Sequence, residues 1–157
     1  MLTPNTQRRL VFHGSVILLI GLFCGIPSVV EVSAGSGRMW QGAHSALLIL
    51  GVWLIATAAV LPLLLLERRE AIGLRVSLLL MAYSFMVAVI VQASTGERVF
   101  GPGPSPLNML VFAANILAVL GTFLAASLTA LGAWNALRAS RTSPAATPGL
   151  TSAGTQR

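Results

Sequence analysis

The sequence predicts an all-α fold, a four-helix transmembrane bundle with both termini in the cytoplasm. Three observations lead there. Hydrophobic residues make up 55% of the 157-residue chain and charged residues only 9%, and the mean hydropathy is +0.84. A soluble domain carries about a quarter charged residues, so this chain cannot clothe itself in a solvated surface. Four apolar runs are each long enough to cross a hydrocarbon core of about 30 Å, which takes about 20 helical residues. The arginines, finally, are concentrated at one end of those runs.

The expected spans cover residues 10–30, 43–66, 76–93 and 107–137, in a membrane domain of residues 1–139. The runs are continuous and too long for alternating barrel strands. The fourth, at 31 residues, makes a helix of about 46 Å. Its last turns, around Trp134 and Arg138, are expected to project past the bilayer with the indole at headgroup level. Residues 140–157 are Ser, Thr, Pro, Ala and Gly but for two arginines, Leu150 and Gln156, with no apolar periodicity, the composition of a disordered tail.

Orientation follows from the arginines. Arg8, Arg9, Arg68, Arg69, Arg75, Arg138, Arg141 and Arg157 fall on one side, and only Arg38 and Arg98 on the other. By the positive-inside rule both termini are cytoplasmic, in the inner (cytoplasmic) membrane. Arg8-Arg9 followed by an apolar run and Val32-Ser33-Ala34 imitates a signal peptide. The run is longer than the usual 7–15 residues of a signal core, so retention is expected.

The net charge of +6 raises nucleic acid as a partner. All ten basic residues are arginines flanking apolar runs, with no stripe along one element to follow a phosphate backbone. No nucleic-acid partner is expected. Cys24 is the single cysteine; it cannot form an internal disulfide or a cysteine metal site and reads as a small apolar core residue.

Chemistry-bearing residues are few. Glu31, Glu67, Glu70 and Glu97 lie in connections or at helix ends, and the chain has no Asp. Paired-carboxylate chemistry in the bilayer and an intramembrane proton relay are therefore not expected, and a Ser/His/Asp triad is excluded. Two histidines remain. His13 belongs near the cytoplasmic end of the first helix and His44 near the outer end of the second, too far apart in depth for one subunit to grip one metal with both. Residues seven apart on a helix are offset by about 20°, so His44, Gly51 and Ala58 share a face, with Trp40 one turn before His44. Small residues beside an imidazole leave room for a flat macrocycle. Spacing alone does not assign a metal ligand here, since a single interfacial histidine in a membrane helix is more often a plain hydrogen-bonding residue. Gly14, Gly21 and Gly25 form a small-residue stripe on the first helix that lets a neighbour approach closely.

Several short stretches, in order, resemble the styrene oxide isomerase family. They are Arg8-Arg9 and His13-Gly14, then Trp40 with Ala43-His44-Ser45, Val60-Leu61-Pro62, Phe100-Gly101-Pro102, and Ala136-Leu137 followed by Arg138. Together they span nearly the whole chain. The resemblance implies four helices, a homotrimer, and haem b at subunit interfaces with His44 as the iron's axial ligand and Trp40 and Gly51 beside it. It further implies that ferric haem acts as a Lewis acid on the oxygen of an apolar epoxide. The ring opens toward a benzylic cation, a 1,2-hydride shift follows, and an aldehyde or ketone leaves.

The chain also departs from the family pattern. An Asn six residues after the ligand is replaced by Leu50, and a pocket Tyr on the third helix by Val87 or Val89. Catalytic residues are therefore not assigned; Tyr83, Asn115, Asn108 and Gln92 are the candidates to supply polar contacts, each with interhelical hydrogen bonding as its plain alternative. Three readings stand: an epoxide isomerase, a related rearrangement in a pocket widened by Leu50 and Val87, or a non-catalytic haem-binding or haem-free protein on the same scaffold. Membrane lipid and an apolar small molecule are the expected partners.

Overall fold

The computed structural model describes residues 4–30, 37–96 and 101–142. Four helices account for nearly all of them: α1 Pro4–Val30, α2 Gly37–Val60, α3 Arg68–Thr95 and α4 Pro106–Thr142. Each is long and apolar enough to cross a membrane. Phenylalanines and aliphatic side chains such as Phe12, Phe23, Ile49, Leu63 and Phe123 stand outward on the bundle surface, an arrangement suited to lipid and costly in water. This is a multi-pass membrane protein.

The helices are longer than the apolar runs. α1 starts at Pro4 and α2 at Gly37, so Arg8, Arg9, Arg38 and Trp40 are helical. Polar residues at a headgroup boundary still gain from continuing the backbone ladder. The second helix also ends earlier than the expected 66. Pro62 has no N–H to continue the ladder, so α2 stops at Val60 and tightens into a 3₁₀ turn, Leu61–Leu63. Leu64 to Leu66 then run to the start of α3, where the Glu70 carboxylate accepts the Glu67 N–H at 2.8 Å and places a negative charge at the helix N-terminus. At its other end α3 closes on Gly96, in the left-handed conformation with φ 73°, which a side chain would strain.

Ser140, Arg141 and Thr142, expected in the tail, are the last residues of α4. The rest of the expected tail, Glu31, Glu97, Arg98 and Phe100 lie outside the described residues. The guanidinium of Arg138 stacks over Trp134 at 4.9 Å.

Packing divides the bundle into two hairpins. α1 lies along α2 and α3 along α4; the halves meet chiefly where α2 touches α3. The α1–α2 seam is built on glycine. A Cβ on Gly14 would come within 2.9 Å of the Gly51 carbonyl oxygen, and one on Gly51 within 2.6 Å of Leu18 Cγ. Backbones this close gain dispersion contacts and leave no space for lipid, the driving force that remains when both solvent and core are apolar. Gly121 does the same for α4, approaching the Ser77 carbonyl and Met81 of α3. A core of Leu10, Ile17, Leu47, Leu54, Leu74, Leu78 and Met81 runs between the halves. The α2–α3 turn is fastened to α4: Leu65 N–H donates to the Gly132 carbonyl at 3.1 Å, and Asn135 Nδ2 donates to the Leu65 carbonyl at 3.3 Å.

Candidate haem-ligand site and the adjoining groove

His44 lies half-buried in the α1–α2 seam, and two glycines of α1 decide its posture. Its Nδ1 is 2.7 Å from the carbonyl oxygen of Gly21. A carbonyl only accepts, so Nδ1 carries the proton and the neutral ring keeps its lone pair on Nε2. A Cβ at position 25 would stand 2.9 Å from Nδ1 and 3.1 Å from Cε1 of the same ring. Glycine at 25 therefore makes room for the imidazole, and the carbonyl at 21 fixes its tautomer and plane. A histidine bound to metal through one nitrogen characteristically donates its other N–H to a carbonyl or carboxylate, which orients the ring and raises its basicity. The stripe read from sequence as a packing surface also seats the histidine.

Trp40 packs against the main core one turn before His44. Gly51 has a different fate. Expected to leave space for a macrocycle, it is buried against Gly14 and Leu18 of α1. The small-residue face below His44 is filled by a helix, because the matching glycines of α1 satisfy it first. A planar group at His44 would have to approach from the side that α1 does not cover.

His13 does not approach His44. Its Nδ1 is 2.7 Å from the Tyr83 hydroxyl, and the two rings meet edge to face with centroids 5.7 Å apart. Gly21, which binds His44, is eight residues farther along α1, or about 12 Å of helix. Tyr83 is thus committed to a bond between α1 and α3. Among the described residues no three His, Cys, Asp or Glu side chains gather to hold a metal ion.

The candidate pocket residues separate. α2 and α4 both rest on α3 and scarcely touch one another, leaving a groove of about 390 Å³ between them. Leu50 and Trp53 of α2, Met81 and Phe85 of α3, and Asn115 and Val119 of α4 line it. Val87 does not: two residues from Phe85, it points to the opposite side of α3 and is 37% exposed, so it widens no pocket wall here. Asn108 abuts Gly103 at the start of α4. Gln92 lines a separate recess of about 300 Å³ with Arg38 and Gly42. Sequence spacing could not foresee that Asn115 and Leu50 share a groove, since helix partnerships decide it.

Four helices able to cross a membrane, with one imidazole held in a glycine seam, define a helical multi-pass membrane protein. No curated protein and no solved structure shows significant similarity to the chain. The family profile described as styrene oxide isomerase matches residues 6–134. The chain belongs to the styrene oxide isomerase family.

Proposed function

We propose that this protein is a haem-dependent isomerase that rearranges an apolar epoxide to an aldehyde or ketone, with His44 as the axial ligand of haem b. Family membership supports the reaction class. The observation that carries the cofactor is the Nδ1–H of His44 held by the Gly21 carbonyl at 2.7 Å, which leaves Nε2 as a neutral donor. One imidazole without neighbouring protein ligands suits a metal that brings its remaining donors in a macrocycle. When bound, haem would supply a ferric Lewis acid for the epoxide oxygen with no net redox change.

The chain's own residues do the rest. Gly25 gives the ring its place, the Gly21 carbonyl holds the proton on Nδ1, and Trp40 backs the ligand's helix turn. Leu50, Phe85 and Met81 present an apolar wall that excludes water from a reacting cation. A substrate of this kind partitions into lipid and enters between helices. His44 and Leu50 are six residues apart and so about 120° apart around α2; one subunit does not bring them into one cavity. That geometry supports a site shared between copies, one copy's ligand face meeting another copy's groove, as in the homotrimer that the family resemblance implies. The arginine distribution supports cytoplasmic termini in the inner membrane.

The test is the visible spectrum of the detergent-purified protein from haem-replete cells, beside His44→Ala. A Soret band lost in the variant, with turnover of aryl, alkyl or terpenoid epoxides by the wild type, is expected. A colourless wild-type protein would overturn the proposal.

A further inference from the structure

We propose that the α2–α3–α4 groove binds a lipid-soluble molecule bearing one hydrogen-bond-accepting oxygen, an epoxide or carbonyl, with the Asn115 side-chain amide as its donor. The groove's lining is apolar but for three groups, the Asn115 amide, the Thr122 hydroxyl and the indole N–H of Trp53. The Thr122 hydroxyl is spent on the Ala118 carbonyl at 2.8 Å. Asn115 has no hydrogen-bond partner among the described residues, although Ser and Thr side chains along the same bundle return to their own helix backbones.

Depth makes that amide informative. Asn115 lies nine residues into α4, about 14 Å along a helix that crosses a core of about 30 Å. Near the bilayer midplane no water satisfies an amide, and phospholipid ester and headgroup oxygens are out of reach. An acyl chain filling the groove would leave Nδ2 unpaired, which costs free energy. No charged residue lines the groove, so an anion or cation has no counter-charge there. A molecule with an apolar body and one acceptor oxygen satisfies both the walls and the amide. The volume of about 390 Å³ lies within the range of small-molecule sites, and Ile49, 69% exposed in the single copy, marks the mouth of the groove. Within this family member the amide comes from α4, across the groove from Leu50.

The choice of an oxirane as the probe rests on the isomerase reading. The experiment uses two photoreactive aryl diazirines on the full-length protein in lipid nanodiscs, one carrying an oxirane and one an ethyl group in its place. Labelled peptides are mapped by mass spectrometry. The oxirane probe should label residues 46–53 and 115–122 about fivefold more than the ethyl probe, the preference one hydrogen bond confers. Asn115→Leu should abolish that excess while leaving labelling by the ethyl probe. Ile49→Trp, which fills the mouth, should suppress both and serves if Asn115→Leu does not fold. Equal labelling of the wild type by the two probes, or labelling elsewhere, overturns the proposal. So does efficient disulfide cross-linking between copies of Asn115→Cys in a Cys24→Ala background, which would seat a second copy on the amide. The readout involves no iron. A missing Soret band would sink the isomerase and leave a positive labelling result standing; a Soret band with equal labelling would sink only the groove.

Discussion

The His44 ring occupies the space that a side chain at Gly25 would need: a methyl group there would stand 2.9 Å from Nδ1. Gly25→Ala must therefore turn the ring or push α1 from α2, and either change weakens the Nδ1–H bond to Gly21. The variant is expected to retain less than half the wild-type haem, read as Soret absorbance per protein, since loss of a ligand's supporting hydrogen bond typically costs about 10–100-fold in metal affinity. Gly42→Ala, whose added methyl meets nothing within 4 Å, should match the wild type.

The two histidines predict opposite outcomes. His13→Ala should keep the Soret band, because its ring is bound to Tyr83 at 2.7 Å and lies well along α1 from Gly21. It should instead lower stability by about 1 kcal/mol, as interhelical hydrogen bonds in membranes do. A double-mutant cycle with Tyr83→Phe, followed by unfolding in mixed detergent micelles, checks this: the paired variant should cost less than the two single losses combined.

Gly51 tests whether the small-residue face belongs to helix packing. Gly51→Ala places a methyl 2.6 Å from Leu18 Cγ and 2.8 Å from the Gly14 carbonyl oxygen. Overpacking of this kind costs about 1–3 kcal/mol, and a matching fall in melting temperature with the haem-to-protein ratio of the surviving fold unchanged is expected. A selective loss of haem without destabilisation would return Gly51 to the cofactor.

Topology is open to direct measurement because Cys24 is the single native cysteine and is buried. In a Cys24→Ala background, Ser105→Cys should react with a membrane-impermeant maleimide applied from outside. Glu70→Cys, beside the arginine-rich α2–α3 turn, should react only after the membrane is opened.

The bundle was legible because its causes are local. Lipid demands satisfied backbones over about 20 residues, so four apolar runs must be four helices, and Pro62 marks where the second stops. His44 stood out as one of only two imidazoles, and the glycine stripe on the first helix announced a close neighbour. Which neighbour it meets is a tertiary fact. Periodicity put His44 and Gly51 on one face and left that face unassigned; the matching glycines of α1 claim it. Tyr83 and Asn115 looked alike in sequence, as lone polar residues in apolar helices. The first turns toward α1 and finds His13, while the second faces a gap that opens because α2 and α4 lean on α3 rather than on each other.

Since the imidazole, the carbonyl that holds it and the glycine that admits it all belong to α1 and α2, the seat of His44 is complete within one helical hairpin. Helices adjacent in sequence pack with little loop entropy to overcome, and α1 and α2, made before α3 and α4, can pair before them. The nitrogen donor is thereby ready during synthesis, while the groove must await the arrival of the last helix.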